Sequence, residues 1–315
     1  MSTTYHFLLL NVFLIISINS YSQNEHTNTI KHVNKSRITT DLLKITQTHE
    51  SRNYHNTKTL NNVADYIKSE LEKVCDSVDF QPYLVNNETY KNVIGSIGLK
   101  NKERIIIGAH YDVCGNQQGA DDNASGVAGL LELARLLSKQ KLNYRIDFVA
   151  YTLEEPPFFR TKQMGSYIHA NYLNEENILV KGMICLEMIG YYSDKEDSQD
   201  YPIPEMQLEY GNLANFIAVV QSEKSGEFGN QIGLLMKQQD LIKTISFKGT
   251  SLVSGIDFSD HLNYWNFNYP AVMITNTAFY RNKNYHNKND TIETLNLNKM
   301  CAVIEQLYIT IKELK

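Results

Sequence analysis

Apolar and polar positions recur along this chain in two periods, and the switches between them mark out its elements. Over 60–74, Val63, Ile67, Leu71 and Val74 fall on one helical face, which predicts an amphipathic helix. The stretches 78–85 and 90–97 read as strands, and Ile105-Ile106-Ile107 as a short buried one. Over 123–139, Val127, Leu130, Leu131, Ala134 and Leu137 form an apolar stripe and predict another helix. The runs 145–153, 182–189, 214–220 and 270–275 predict further strands, and 165–173 and 294–314 further helices. Strands alternating with helices predict an α/β fold: a three-layer sandwich whose mixed, largely parallel central sheet is flanked by helices. In such sheets, catalytic and binding groups gather at the carboxyl ends of the strands.

The first 22 residues break this pattern. Residues 7–18 (FLLLNVFLIISI) form an apolar core too short to span a bilayer comfortably. Ser20 and Ser22 are small residues placed for signal-peptidase cleavage before Gln23. No Lys or Arg precedes the apolar core, so an uncleaved N-terminal anchor is the competing reading. No Cys follows it, which argues against lipid attachment. The expected organisation is a signal peptide at 1–22, a polar tail at 23–35 and one catalytic domain over 36–315. The mature protein is then exported, periplasmic or secreted, with no stable membrane insertion.

Composition narrows the partners. Thirty basic and 35 acidic residues give a net charge of −5, and no basic cluster stands out. That makes nucleic acid a poor partner. Cys75, Cys114, Cys185 and Cys301 show neither a disulfide framework nor a CxxC knuckle. Cys114 falls close to the chemistry described next. Oligomeric state is not legible.

Each predicted strand exit carries a potential ligand. The first delivers His110 and Asp112, and the loop after it Asp121 and Asp122. The strand 145–153 runs into Glu154-Glu155, the strand 182–189 contains Glu187, and the last is followed by Tyr285-His286 and Asp290. Taken singly, these have plain structural readings: a strand-end histidine, a solvated acidic pair, or acids capping a helix. Taken together, they fall on one edge of one sheet. Carboxylates with two imidazoles suit a borderline divalent ion such as zinc, and five such ligands suit a pair. Two close cations need a shared carboxylate, and a metal-activated water needs a further carboxylate to take its proton.

The motifs GAHYD, GADDNASGVAGLLELA, TLEEPPF…MGS, LEMIGYY and YHNKNDTIETL resemble, in order and spacing, the M28 family of co-catalytic zinc exopeptidases. The likeness runs from about Asn61 to the C-terminus. It implies two Zn2+ per chain and a peptide substrate with a free N-terminus. Asp122 would bridge the ions, His110 and Glu187 would complete one, and Glu155 and His286 the other. Glu154 would be the general base, and Asp112 would orient His110. The resemblance also implies a cis Asp122–Asn123 peptide and leaves Asp121 as a neighbour of the ligands.

Two departures from the family pattern stand out. Many relatives carry Asp at the Glu187 position, and the segment 156–164 is longer than expected. Its two prolines and two phenylalanines suggest a stiff flap over the site, or else a surface loop with an apolar anchor. Arg160 within it is a candidate for meeting a substrate carboxylate or carbonyl. Asp260 is expected behind the ligands and His261 in the pocket; the alternative is a helix cap at Asp260 with His261 on the helix. Tyr285 is a candidate for holding the oxyanion. Tyr191, Tyr192, Tyr264, Trp265 and Phe279 are candidate pocket aromatics. The leading function is an exported zinc aminopeptidase. The alternatives are a single-zinc glutaminyl cyclase and a non-catalytic binding protein on a peptidase scaffold.

Overall fold

A computed structural model describes residues 30–314. The expected signal peptide and the tail up to residue 29 lie outside the described residues. The remainder of the tail is tied down: the backbone N–H groups of His32 and Val33 donate to Glu305, and that of Asn34 to Glu132. Asn34 then caps α1 (Lys35–Thr46) by accepting from the Arg37 N–H. This helix is not among the elements expected from the sequence.

The order continues with α2 (Thr57–Leu71), β1 (Ser77–Val85), β2 (Glu88–Ile97) and β3 (Arg104–His110). After a π-type turn over Ala120–Ser125 come α3 (Gly126–Leu137), β4 (Arg145–Tyr151), α4 (Gly165–Glu175) and β5 (Val180–Glu187). The chain closes with α5 (Met206–Tyr210), β6 (Ile217–Gln221), α6 (Gly226–Gln239), β7 (Thr244–Lys248), α7 (His261–Asn266), β8 (Ala271–Thr275) and α8 (Leu297–Glu313). Two helices start later than their apolar periods suggest. The helix expected from residue 123 starts at Gly126, because Asp122 and Asn123 have non-helical backbones. The closing helix starts at Leu297, where Asn296 caps it by accepting from the Lys299 N–H.

The eight strands form one mixed sheet in the order β1-β2-β4-β3-β5-β8-β6-β7. Its centre, β4-β3-β5-β8, is parallel. Alternate residues feed two cores. Ile105, Ile107 and Ala109 of β3 join α1, α2, α3, α6 and α8, while Ile106 joins α4 and α7 on the other face. Burying such a side chain stabilises the fold by roughly 1.5–3 kcal/mol. Every residue of α3 is buried. Its two charges survive there because Glu132 meets Arg37 and Arg135 meets Asp41 on α1. This clamps α1 onto the helix that follows the Asp122 turn. Among the described residues, no helix is long and apolar enough to cross a membrane.

Candidate metal centre

Because β4, β3, β5 and β8 are parallel, their carboxyl ends share one edge of the sheet. His110 is the last residue of β3 and Glu187 the last of β5. Glu154 and Glu155 follow the end of β4, and His286 sits in the loop after β8. The loop after β3 returns Asp122 to the same edge. His110 Nε2 lies 3.4 Å from Asp122 Oδ1 and 3.4 Å from Glu187 Oε2. His286 Nε2 lies 3.2 Å from Asp122 Oδ2 and 3.0 Å from Glu155 Oε2. The two oxygens of Asp122 therefore face different imidazoles, each of which also faces its own glutamate. Glu154 Oε2 stands 3.9 Å from His110 Nε2.

The backbone is bent to deliver these groups. The Asp122–Asn123 peptide is cis. Leu153, Met188 and His286, beside or within the site, all take left-handed backbones with φ of 60°, 51° and 54°. Non-glycine residues held this way cost about 1–3 kcal/mol each and persist where their surroundings over-determine them.

Those surroundings are polar. Asn123 donates to the Leu186 carbonyl and accepts from the Met188 and Gly126 N–H groups, stapling the turn to the end of β5. Asp121 points away from the imidazoles. Its Oδ1 accepts from the Gly190 and Tyr191 N–H groups and its Oδ2 from Asn276 and Asn282. Asp112 lies 3.6 Å from His110 Nδ1, but its hydrogen bonds go to the N–H groups of Glu154 and Glu155, at 3.3 and 3.2 Å. It thus sets the acid pair as well as facing the imidazole.

Three supports come from far along the chain, and two of them, Ser259 and Arg52, carried no sequence signal. Ser259 donates to Glu187 Oε2 at 2.6 Å. Buried Arg52 donates to the carbonyls of Tyr111, Gln118 and Gly119, spanning the loop between His110 and Asp122. Asp290, read from the sequence as a potential ligand, accepts instead from the backbone of Asp121 and Asp122.

The electrostatics call for positive charge. Burial, reinforced by Asp122, pushes the Glu155 carboxyl up to about 7. Burial also raises Glu187, and lifts Glu154 well above the usual carboxylate range. Burial opposes protonation of His110, yet Glu187 and Glu154 outweigh it and hold the imidazole well above its ordinary value. His286 is pushed up to about 10, against burial, by Asp122 and Glu155. Asp122 is lowered because both imidazoles outweigh its burial. A site that strengthens proton binding by imidazoles this far attracts any cation. His110 Nδ1, Asp122 Oδ2, Glu155 Oε1 and His286 Nε2 are buried atoms without a hydrogen-bond partner. Buried polar atoms are otherwise nearly always satisfied, so these donors fit a metal site.

The remaining candidates fall into three places. The Tyr285 ring stacks on His286 at 3.8 Å between centroids. Asp260 and His261 are fully buried at the start of α7. Both Asp260 oxygens lack a hydrogen-bond partner, and burial raises that carboxyl to about 7. His261 Nε2 bonds the Ile256 carbonyl, and burial lowers the ring to about 4; this puts it with Trp265 in packed surroundings.

Arg160 pairs with Asp257 and lies over the Phe258 ring. The segment 156–164 is anchored twice, Phe158 against Tyr54 and Phe159 against Phe258. Phe258 also lines a cavity over the β8-β6-β7 end of the sheet, walled by Phe216, Val220, Phe247 and Met273, with Glu187 and Tyr285 at its metal end. Of the five candidate pocket aromatics, Phe279 lines this cavity, whereas Tyr264 and Trp265 belong to the core under α7.

Comparison with known proteins places this arrangement. The model of peptidase family M28 matches residues 92–309. The uncharacterized protein YfbL of Escherichia coli (strain K12) is 43% identical over 310 residues, 95% of each chain. A probable leucine aminopeptidase of Arthroderma otae is 25% identical over 86% of this chain and 70% of its own. Among solved structures, LapB from Legionella pneumophila superposes with a TM-score of 0.70 at 22% identity, covering 92% of this chain and 74% of its own. A glutaminyl cyclase of Bacteroides thetaiotaomicron, solved with N-acetylhistamine, gives 0.69 at 17% identity over 91% and 100%. With a family match running from β2 into α8 and a relative this similar over nearly its whole length, the chain belongs to peptidase family M28.

Proposed function

We propose that this protein is an exported zinc aminopeptidase that removes the N-terminal residue of peptides with a free α-amine. The observation that carries the reading is the division of Asp122, one oxygen toward His110 and the other toward His286. His110, Asp122 and Glu187 would hold one zinc, and Asp122, Glu155 and His286 the other. Bound there, such a pair polarises the scissile carbonyl and acidifies a water.

The chain's own groups do the rest. Glu154 stands beside His110 outside both ligand sets. Its raised proton affinity suits a base that takes a proton near neutral pH and returns it to the leaving amine. Asp112 fixes its backbone. Tyr285, stacked on His286, is placed to donate to the developing oxyanion. The apolar cavity starting at Glu187 and Tyr285 would take the first side chain, which favours leucine, methionine or phenylalanine there. The segment 156–164 shares Phe258 with that cavity and would shield it from water.

The other enzymatic reading, a one-zinc cyclase of N-terminal glutamine, would use Asp122, Glu155 and His286. The cavity's apolar walls match an amide side chain poorly. Purified protein separates the two: release of leucine from a leucyl peptide with about two zincs per chain supports the peptidase. Pyroglutamate formation with one zinc would overturn it. Protein that neither binds zinc nor turns over either substrate would point to a binding role.

A further inference from the structure

Cys114 stands four residues beyond His110, on the loop leaving β3, and is half-buried. Its Sγ, a Glu155 carboxylate oxygen and a His286 ring nitrogen all lie within 4.8 Å of one another. Donors on one tetrahedral zinc sit about 3.5 Å apart, given bonds of roughly 2.0–2.3 Å. A small inward movement of the thiol therefore brings it onto a shared ion. Glu155 supplies an observation independent of the thiol: it is 4% exposed, and its Oε1 is buried with no hydrogen-bond partner, which leaves that oxygen free to meet a cation.

We propose that Cys114 Sγ is a ligand of the metal held by Glu155 and His286. The inference rests on the metal-pair reading above and goes beyond its ligand set. As the sulfur–metal bond forms, the thiol proton passes to solvent and nothing is oxidised or reduced. The two sites then differ in kind. At the Glu155 and His286 site the Cys114 sulfur would join oxygen and nitrogen donors, with Asp122 shared. His110, Asp122 and Glu187 make three protein donors and leave a position open for substrate or water. The thiolate also biases its site toward softer ions such as zinc and away from magnesium or manganese.

Cobalt(II) reconstitution of the metal-depleted full chain tests this. The expected spectrum has visible ligand-field bands and a near-ultraviolet thiolate-to-cobalt band. The latter should vanish in Cys114→Ser and in Cys114→Ala while the visible bands remain. Visible bands without a thiolate band, or a thiolate band that survives both variants, overturn the proposal. Absence of all cobalt bands overturns the metal-pair reading and this inference with it. A second measurement needs no variant. Zinc should slow iodoacetamide alkylation of Cys114 at least about tenfold and leave Cys75, also half-buried, unchanged. Equal slowing of both, or of neither, counts against the ligand role.

Discussion

Asp290 grips the backbone of Asp122 from 168 residues away: its Oδ2 accepts the Asp122 N–H at 3.0 Å, while Oδ1 accepts that of Asp121 at 2.9 Å. The turn that carries the shared carboxylate is thus fixed by a residue of the loop that also supplies His286. Asp290→Ala leaves two buried N–H groups unpaired, at about 1–3 kcal/mol each. Zinc affinity should fall by about 10–100-fold, as for other groups that orient ligands. Competition against a chromogenic chelator measures it, and unchanged affinity would show that the turn holds itself.

Glu154→Gln keeps the shape of the side chain and removes its basicity. We expect kcat on a leucyl peptide to drop by about 10²–10⁴, with bound metal and melting temperature unchanged. A variant retaining more than half of its activity would remove Glu154 from the proton-transfer role.

The pH dependence follows from proton binding by the folded chain. Glu155 sits at about 7 against an ordinary 4.5, and His286 at about 10 against 6.5. Both bind protons more tightly folded than unfolded. The stability they contribute is full below the ordinary values and is lost as pH rises, from 4.5 through about 7 for Glu155 and from 6.5 through about 10 for His286. Asp122, shifted downward, acts oppositely in a window below these. Chelated protein should therefore weaken between about pH 6.5 and pH 8, and zinc should counter this by replacing the protons. The zinc-induced rise in melting temperature should grow across that range. A constant or shrinking rise would contradict the charge balance described here.

Gly126 begins α3 where the turn meets the end of β5. A β-carbon there would lie 2.4 Å from Asn123 Oδ1 and 2.6 Å from the Leu186 carbonyl oxygen. The second neighbour is backbone and cannot swing aside. Gly126→Ala should destabilise the protein by about 1–3 kcal/mol and, by displacing Asn123, weaken metal binding too. Thermal melts with and without zinc separate the two effects.

Local pattern carried the parts of this molecule whose cause is local. The Ile105-Ile106-Ile107 run, the stripe from Val127 to Leu137 and the acids after each strand all declare themselves within a dozen residues. From these came the sandwich and a sheet edge rich in potential ligands; the choice of His110, Asp122, Glu155, Glu187 and His286 among them came from the resemblance to the M28 family. What local pattern does not carry acts across the chain. Arg52 reaches the carbonyls on either side of the ligand loop, Ser259 reaches Glu187 and Asp290 reaches Asp122. In sequence Arg52 and Ser259 are ordinary polar residues and Asp290 reads as one more potential ligand; only the assembled sheet edge gives each its partner. The elements α1, α6 and β7 do carry a pattern: Ile38, Leu42 and Ile45 fall on one helical face, Phe228, Ile232 and Met236 on another, and Ile245 and Phe247 alternate. Each period holds only two or three apolar residues, too few to stand out from the polar sequence around it.

The sheet order also dictates a sequence of events during synthesis. Among the described residues β8 is the last strand in the chain, yet it lies between β5 and β6, and β6 pairs there only with β7 and β8. Until β8 arrives, β6 and β7 have no strand joining them to the rest of the sheet. The same arrival carries in the loop bearing His286 and Asp290. Closure of the sheet and completion of the metal site are one step, so a nascent chain cannot assemble the full ligand set before its last strand has been made.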